Sequence, residues 1–168
     1  MAVKPYRVIC RDKQGLPFEV VSCGMETCGA VQEMYDTFEP KGRAQGLPPI
    51  SDYTRRTWVE AVMGVSWNFV LQDQGQVVGH AAAIPDLRKR DAEYLIFLLP
   101  PYQNRGLGAA LTRVVLGYLA ARGIEKVFLE VEYQNTRAIH LYRKFSFEFC
   151  GQRDDPECVM ACELDHAA

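Results

Sequence analysis

Ala92-Glu-Tyr-Leu-Ile-Phe-Leu-Leu-Pro-Pro-Tyr-Gln-Asn-Arg-Gly-Leu-Gly108 reads as a strand, a tight turn and the opening of a helix. After Glu93 the run to Leu99 is apolar on both faces, so that strand must be covered from both sides of a sheet. Gly106 and Gly108 lack Cβ, which permits positive φ and close approach of a ligand to the main chain. The first amides of the helix that follows have no internal partner and stand at the positive end of its dipole. Strand, glycine turn and helix together make an anion seat that fits a pyrophosphate. The hexad 103–108 is not a P-loop, since no Gly-Lys-Ser/Thr follows, and it lacks the three glycines of a dinucleotide fingerprint. Taken alone it also reads as an ordinary turn into a helix.

Working outward, the helix runs over 106–122, with Leu107, Leu111, Val114 and Tyr118 toward the sheet. Gly117 inside it points to close packing. A cleanly alternating strand over 126–132 completes a strand-helix-strand unit with parallel pairing. A second helix over 135–145 places Ala138, Leu141, Tyr142 and Phe145 on one face. Strands over 147–153 and 157–164 close the chain as a hairpin across Asp154-Asp155-Pro156. Upstream, 67–72 and 76–84 form a hairpin over Asp73-Gln74-Gly75. Strands over 3–10 and 18–22 flank the turn Asp12-Lys13-Gln14-Gly15, and 25–38 is helical with Cys28, Val31, Tyr35 and Phe38 on one face. The irregular stretch 39–51, with Lys41 and Arg43, precedes a helix from Asp52 as N-cap through Met63, stopped by Gly64.

Length and composition fit one domain over 1–168: 168 residues, 48% hydrophobic, 24% charged and a net charge of −2. That balance gives no polyanion surface, so nucleic acid is not an expected partner. No secretory signal and no run of transmembrane length is visible, so no membrane partner is expected and the reading is cytoplasmic. Six cysteines without a CxxC pair read as free buried thiols in a reducing compartment, with no metal site.

The segment 92–108 resembles the acetyl-CoA-binding segment of the GNAT superfamily of N-acyltransferases. The signature there is Gln/Arg-x-x-Gly-x-Gly/Ala, met by Gln103, Gly106 and Gly108. Asn135-x-x-Ala138-x-x-Leu141-Tyr142 is similar to a second motif of that superfamily, and the likeness covers roughly 67–164. One departure is Ser146-Phe147, where the superfamily has Gly-Phe after the helix. The resemblance implies a mixed α/β (α+β) fold: a mostly antiparallel sheet of about seven strands, flanked by about four helices, with two splayed parallel central strands. It makes 67–164 the cofactor-binding core and 1–64 the acceptor side.

The implied reaction is transfer of an acetyl group from acetyl-CoA to an amine, without a metal. Main-chain amides of Asn104, Arg105, Gly106, Leu107 and Gly108 would hold the pyrophosphate. Arg105 either adds a charged contact or is a solvated turn arginine. The pantetheine arm would pair with the backbone near Leu98 and Leu99, one of whose amides would polarise the thioester carbonyl. Asn135 would hydrogen-bond the pantetheine, cap its helix, or do both. An amine with a pKa of ~10 needs a base. Glu93, partly desolvated at the start of the central strand, is the candidate, through a water if need be; otherwise it is a solvated strand-end carboxylate. His80 is the alternative base. Tyr142 would act as acid toward the CoA thiolate, or be a core tyrosine. His140 reads as solvated.

The acceptor side matches no substrate pattern. Tyr35, Phe38, Tyr53 and Trp58 would line a pocket or belong to the core. A small-molecule amine is the first choice of acceptor, and a protein lysine or N-terminal amine the second. A module that senses acyl-CoA without turnover is the other class. An open sheet with exposed edges makes a homodimer plausible.

Overall fold

The computed structural model describes residues 5–42, 47–154 and 156–165. Val3 and Lys4 of the first expected strand, Arg43 and Asp155 lie outside them.

The order of elements is β1 (Arg7–Arg11), β2 (Pro17–Cys23), α1 (Cys28–Thr37), α2 (Asp52–Val65), β3 (Trp67–Asp73), β4 (Gln76–Asp86), β5 (Asp91–Leu98), α3 (Leu107–Ala120), β6 (Lys126–Glu132), α4 (Thr136–Arg143), β7 (Glu148–Asp154) and β8 (Glu157–Glu163). Single 3-10 turns precede α1 and α3. All strands join one eight-stranded sheet in the order β1-β2-β3-β4-β5-β6-β8-β7. It is a mixed α/β fold, one strand larger than the expected seven. Every neighbouring pair is antiparallel except β5 and β6.

The sheet carries a core on each face, as side-chain alternation requires. Val31, Met34 and Tyr35 of α1 and Val59 and Met63 of α2 pack on Val21, Val70 and Val77. On the opposite face Leu107, Leu111, Val115 and Leu119 of α3 and Ile139 and Tyr142 of α4 pack on Phe69, Val78, Tyr94, Leu129 and Met160. The α2 N-cap is Ser51, whose Oγ accepts from the Thr54 amide at 3.4 Å; Asp52, the expected cap, is the first helical residue. Gly64 lies inside the last turn rather than stopping the helix, which ends at Ser66. Gly117 is not demanded by packing, because a Cβ there would meet nothing within 4 Å. The six cysteines are free, but only Cys28, Cys158 and Cys162 are buried, and Cys150 is exposed on the last hairpin.

β5 and β6 pair only at Asp91–Lys126, Ala92–Val127 and Glu93–Phe128, then part. Each keeps its other neighbour: β5 is paired with β4 out to Leu98, and β6 with β8 along its whole length. The sheet therefore opens in its middle without losing either half.

Ser146 ends α4 in the left-handed region at φ 63°, where the superfamily has glycine. The closure is complete nonetheless: the Phe147 amide donates to the Tyr142 carbonyl at 3.2 Å and the Ser146 amide to Arg143 at 3.2 Å. A side chain in that region carries strain of roughly 1 kcal/mol. Ser146→Gly is expected to raise stability by about that amount, less the entropy glycine adds to the unfolded chain. Thermal denaturation should show a midpoint higher by roughly 1–4 °C. A fall in the midpoint would show that the serine side chain more than offsets its strain.

Candidate active site

The gap between β5 and β6 opens into a cavity of about 800 Å³ lined from both faces of the sheet, by Trp58 of α2, Glu93 through Phe97 of β5, Glu130 of β6 and Tyr142 of α4. Leu47, Pro49, Ile50, Ser51 and Thr54 form its outer wall. Described residues of the irregular stretch expected on the acceptor side therefore line this cavity. Arg55, almost wholly buried, holds that stretch: its Nη1 donates to the carbonyls of Pro49 at 3.1 Å and Ile50 at 3.0 Å, while Asp36 and Asp52 pair with its Nη2.

Glu93 is the last paired residue of β5 on the gap side. By alternation its side chain shares a face with Phe97, whose ring packs against Tyr35, Phe38 and Trp58. Burial raises its carboxyl above the ordinary glutamate value, and Glu130 across the gap adds to the rise. That is the direction a general base needs. His80 has no such freedom. It is 1% exposed, its Nε2 lies 3.0 Å from Asn68 Oδ1 and its Nδ1 2.9 Å from the Tyr35 hydroxyl. Asn68 spends its amide hydrogens on the carbonyls of Met63 and Ser66, so its oxygen faces the ring and must accept. His80 is then the neutral Nε2–H tautomer, with Tyr35 donating to Nδ1. Burial pushes its pKa down to about 4. It is a hydrogen-bonded core residue that does not line the cavity. Tyr35 and Phe38 are core as well, Trp58 both packs and lines the cavity, and Tyr53 is 81% exposed, away from it.

Tyr142 reaches the cavity from the opposite face. Burial pushes its phenol up to about 12, and its hydroxyl has no hydrogen-bond partner among the described residues. His140, two residues earlier in α4, is exposed.

Along β5 the amides alternate between β4 and the gap. The Leu99 amide is spent on β4, donating to the Val78 carbonyl at 3.0 Å. The alternation leaves the amides of Ile96 and Leu98 on the gap side. The Leu98 carbonyl, also turned from β4, accepts from Gln103 Nε2 at 2.9 Å. Gln103 Oε1 in turn accepts from Arg137 Nη1 at 2.6 Å, so this side chain spans from β5 to α4 across the mouth of the gap.

Asn104 at φ 60° and Gly106 at φ 81° turn the chain into α3. Among the described residues the amides of 104–109 have no acceptor; the first helical bond runs from the Ala110 amide to the Gly106 carbonyl. A Cβ on Gly108 would come within 3.3 Å of Leu141 Cδ2 and 3.6 Å of Leu98 Cδ1, so absence of a side chain lets β5, α3 and α4 meet here. These residues fit an anionic, extended ligand that enters the gap from the α3 side. Asn135 caps α4, its Oδ1 accepting from the Ala138 amide at 3.2 Å, and its Nδ2 has no acceptor among the described residues.

The Arg105 side chain is engaged within the fold. Its Nε and Nη2 donate to Asp12 Oδ2 at 3.1 and 2.8 Å, and its guanidinium carbon lies 5.1 Å from the ring centroid of Phe18 and 5.3 Å from that of Tyr102. It is not a solvated turn residue but a brace tying the loop before α3 to the first hairpin. Sequence reading placed Asp12 in a turn. Its partner stands 93 positions away, and no local pattern marks such a pair. Glu130, Ile96 and Thr54 were likewise unmarked, because each looks like an ordinary strand or helix residue until the gap places it, whereas Trp58 was marked as pocket or core and is both.

A family model described as the acetyltransferase (GNAT) family matches residues 31–147. Over 87 residues the chain is 31% identical to the spermidine N(1)-acetyltransferase of Escherichia coli K12, which covers 50% of this chain and 46% of that protein. The chain thus spans less than half the length of that curated relative. The GNAT domain of S. lividans PAT superposes with a TM-score of 0.79 at 13% identity, over 94% of this chain and 97% of that one. A phosphinothricin acetyltransferase of Sinorhizobium meliloti, solved in complex with acetyl-CoA, superposes with a TM-score of 0.67 at 21% identity, over 86% and 87% of the two chains.

The Asp12–Arg105 brace has a pH signature. Burial opposes the Asp12 charge, but the Arg105 hydrogen bond and the Leu16 and Gln14 amides outweigh it and hold the carboxyl below its usual range. A depressed carboxylate stabilises the fold above its unfolded pKa and loses that contribution as pH falls through the folded one. Arg105→Met removes the cation and keeps the stem. Acid unfolding followed by circular dichroism should then begin at higher pH, with a midpoint temperature several degrees lower at neutral pH; coincident curves would show the brace to be inert.

Proposed function

The chain belongs to the acetyltransferase (GNAT) family, and we propose that it moves an acetyl group from acetyl-CoA to a small primary amine by direct attack in a ternary complex. One observation carries this reading. The parted strands bring a carboxylate of raised pKa, the open main chain of β5 and a buried phenol to a single cavity, and beyond the end of β5 the amides of 104–109 have no acceptor among the described residues. The cavity is of small-molecule size. Two carboxylates, Glu93 and Glu130, and the indole of Trp58 line it, which suits an ammonium. The relative named for spermidine acts on an amine of that kind.

In this reading the amides of Asn104 to Gly108 receive the diphosphate, and the pantetheine arm follows the open edge of β5 past Leu98. Leu98 N–H, rather than Leu99 N–H, donates to the thioester oxygen as charge develops there. Asn135 offers its free Nδ2 to the same arm. Glu93 takes a proton from the ammonium, directly or through water, and the neutral nitrogen attacks the carbonyl carbon. The C–N bond forms and the C–S bond breaks. Tyr142 then meets the departing sulfur. With its phenol at about 12, a full handover to a thiolate whose conjugate acid lies near ~8.5 runs uphill by several kcal/mol. Tyr142 therefore serves chiefly as a hydrogen-bond donor that steadies the thiolate until solvent protonates it.

The test of the whole reading is to follow free thiol while the protein is incubated with acetyl-CoA and a panel of polyamines, small monoamines and lysine- or N-terminus-bearing peptides. Thiol release driven by a small amine is the expected result. Release driven only by peptides would make the acceptor a protein, and binding of acetyl-CoA with no acceptor-dependent release would make the chain a sensor.

Glu93→Gln is expected to lower kcat by roughly 100-fold while the Kd for CoA stays the same. The wild-type rate should climb with pH through the raised Glu93 pKa, and that limb should vanish in the variant. Tyr142→Phe should lower kcat by about tenfold, with little effect on KM for the amine. An unchanged rate in either variant removes that residue from the mechanism.

A further inference from the structure

The turn between β1 and β2 reaches the same glycine loop, although it lies far from the cofactor motifs in sequence. The Lys13 amide donates to the Arg105 carbonyl at 2.9 Å. The Lys13 side chain then runs over Gly106: a Cβ on that glycine would stand 3.3 Å from Lys13 Cγ and 3.8 Å from its Cε. The ammonium, one bond beyond Cε, is thus held at the rim of the unpaired amides. Lys13 is exposed and has no ion-pair partner among the described residues, whereas the neighbouring cation, Arg105, is neutralised by Asp12.

The position is built, not incidental. Asp12 Oδ1 accepts from the amides of Gln14 and Leu16, each at 2.9 Å, and the Gly15 amide returns to the Asp12 carbonyl at 3.0 Å. Asp12 Oδ2 accepts from Arg105. One carboxylate therefore fixes both the turn that carries Lys13 and the loop that it overhangs.

Resting on the reading that CoA is the donor, we propose that Lys13 is a ligand of the CoA diphosphate, supplied by the N-terminal hairpin, with Asp12 and Arg105 as its positioning pair. A lysine ammonium serves phosphate as a mobile point charge and needs no fixed fork. Gly106 matters here twice, because any side chain there would displace the lysine stem as well as block the amides.

The experiment is calorimetric titration of the full chain and its Lys13→Gln and Lys13→Arg variants with CoA, 3′-dephospho-CoA and pantetheine at several salt concentrations. Lys13 is exposed, so the variants should keep the wild-type melting curve. Lys13→Gln should bind CoA and 3′-dephospho-CoA roughly three- to tenfold more weakly, bind pantetheine as wild type does, and show a shallower salt dependence. Lys13→Arg should restore most of the affinity. Wild-type affinity in Lys13→Gln overturns the proposal and leaves the donor reading standing. So does a loss confined to CoA, which would mark a contact with the 3′-phosphate. A wild-type protein that binds none of the three ligands removes the donor reading and the proposal with it.

Discussion

The structure depends on one interruption in a hydrogen-bond ladder. Two adjacent parallel strands begin paired and stop at Glu93 and Phe128. A gap in the middle of a sheet leaves buried polar groups to be satisfied. It is tolerated here because β5 remains paired with β4, and β6 with β8, through the region where they part. What the gap leaves free is a short row of main-chain groups on the inner edge of β5. That row is both the weak point of the fold and the surface on which an extended ligand can complete it.

The opening also joins the two faces of the sheet. On one face lie α1 and α2, the aromatic cluster of Tyr35, Trp58 and Phe97, and the two carboxylates; on the other lie α3, α4 and Tyr142. In the proposed reading, a donor held by the α3 turn and an acceptor held by the α2 side meet at the gap. The burial that raises Glu93 and Tyr142 and the burial that lowers His80 are the same physical effect acting on acids and on a base. Its outcome differs because Glu93 and Tyr142 border the cavity, while His80 is enclosed by Tyr35 and Asn68.

Rigidity around the gap comes from a few polar hubs. Arg55 collects Asp36, Asp52 and two loop carbonyls on the acceptor side. Asp12 collects two amides and Arg105 on the donor side. Gln103 links β5 to α4 between them. Arg55 and Gln103 hydrogen-bond a loop to elements of regular structure, and Asp12 ties the β1–β2 turn to the loop before α3, so the loops that border the site are positioned without belonging to a helix or strand.

Period and turn chemistry settled a good deal from sequence alone. Every helix and strand was legible, because apolar spacing and glycine turns are local properties. So were the parallel unit around residues 92–132 and the glycine loop that leaves helix-starting amides unpaired. Cap positions slipped where two good candidates were adjacent, as with Ser51 and Asp52. Roles that depend on a distant partner were not legible at all. Arg105 became a brace because Asp12 comes to it from the first hairpin, His80 became core because Tyr35 and Asn68 enclose it, and Leu99 lost its amide to Val78. A side chain's chemistry is set by what surrounds it, and those surroundings come from residues far off in the chain, which only the folded sheet brings together.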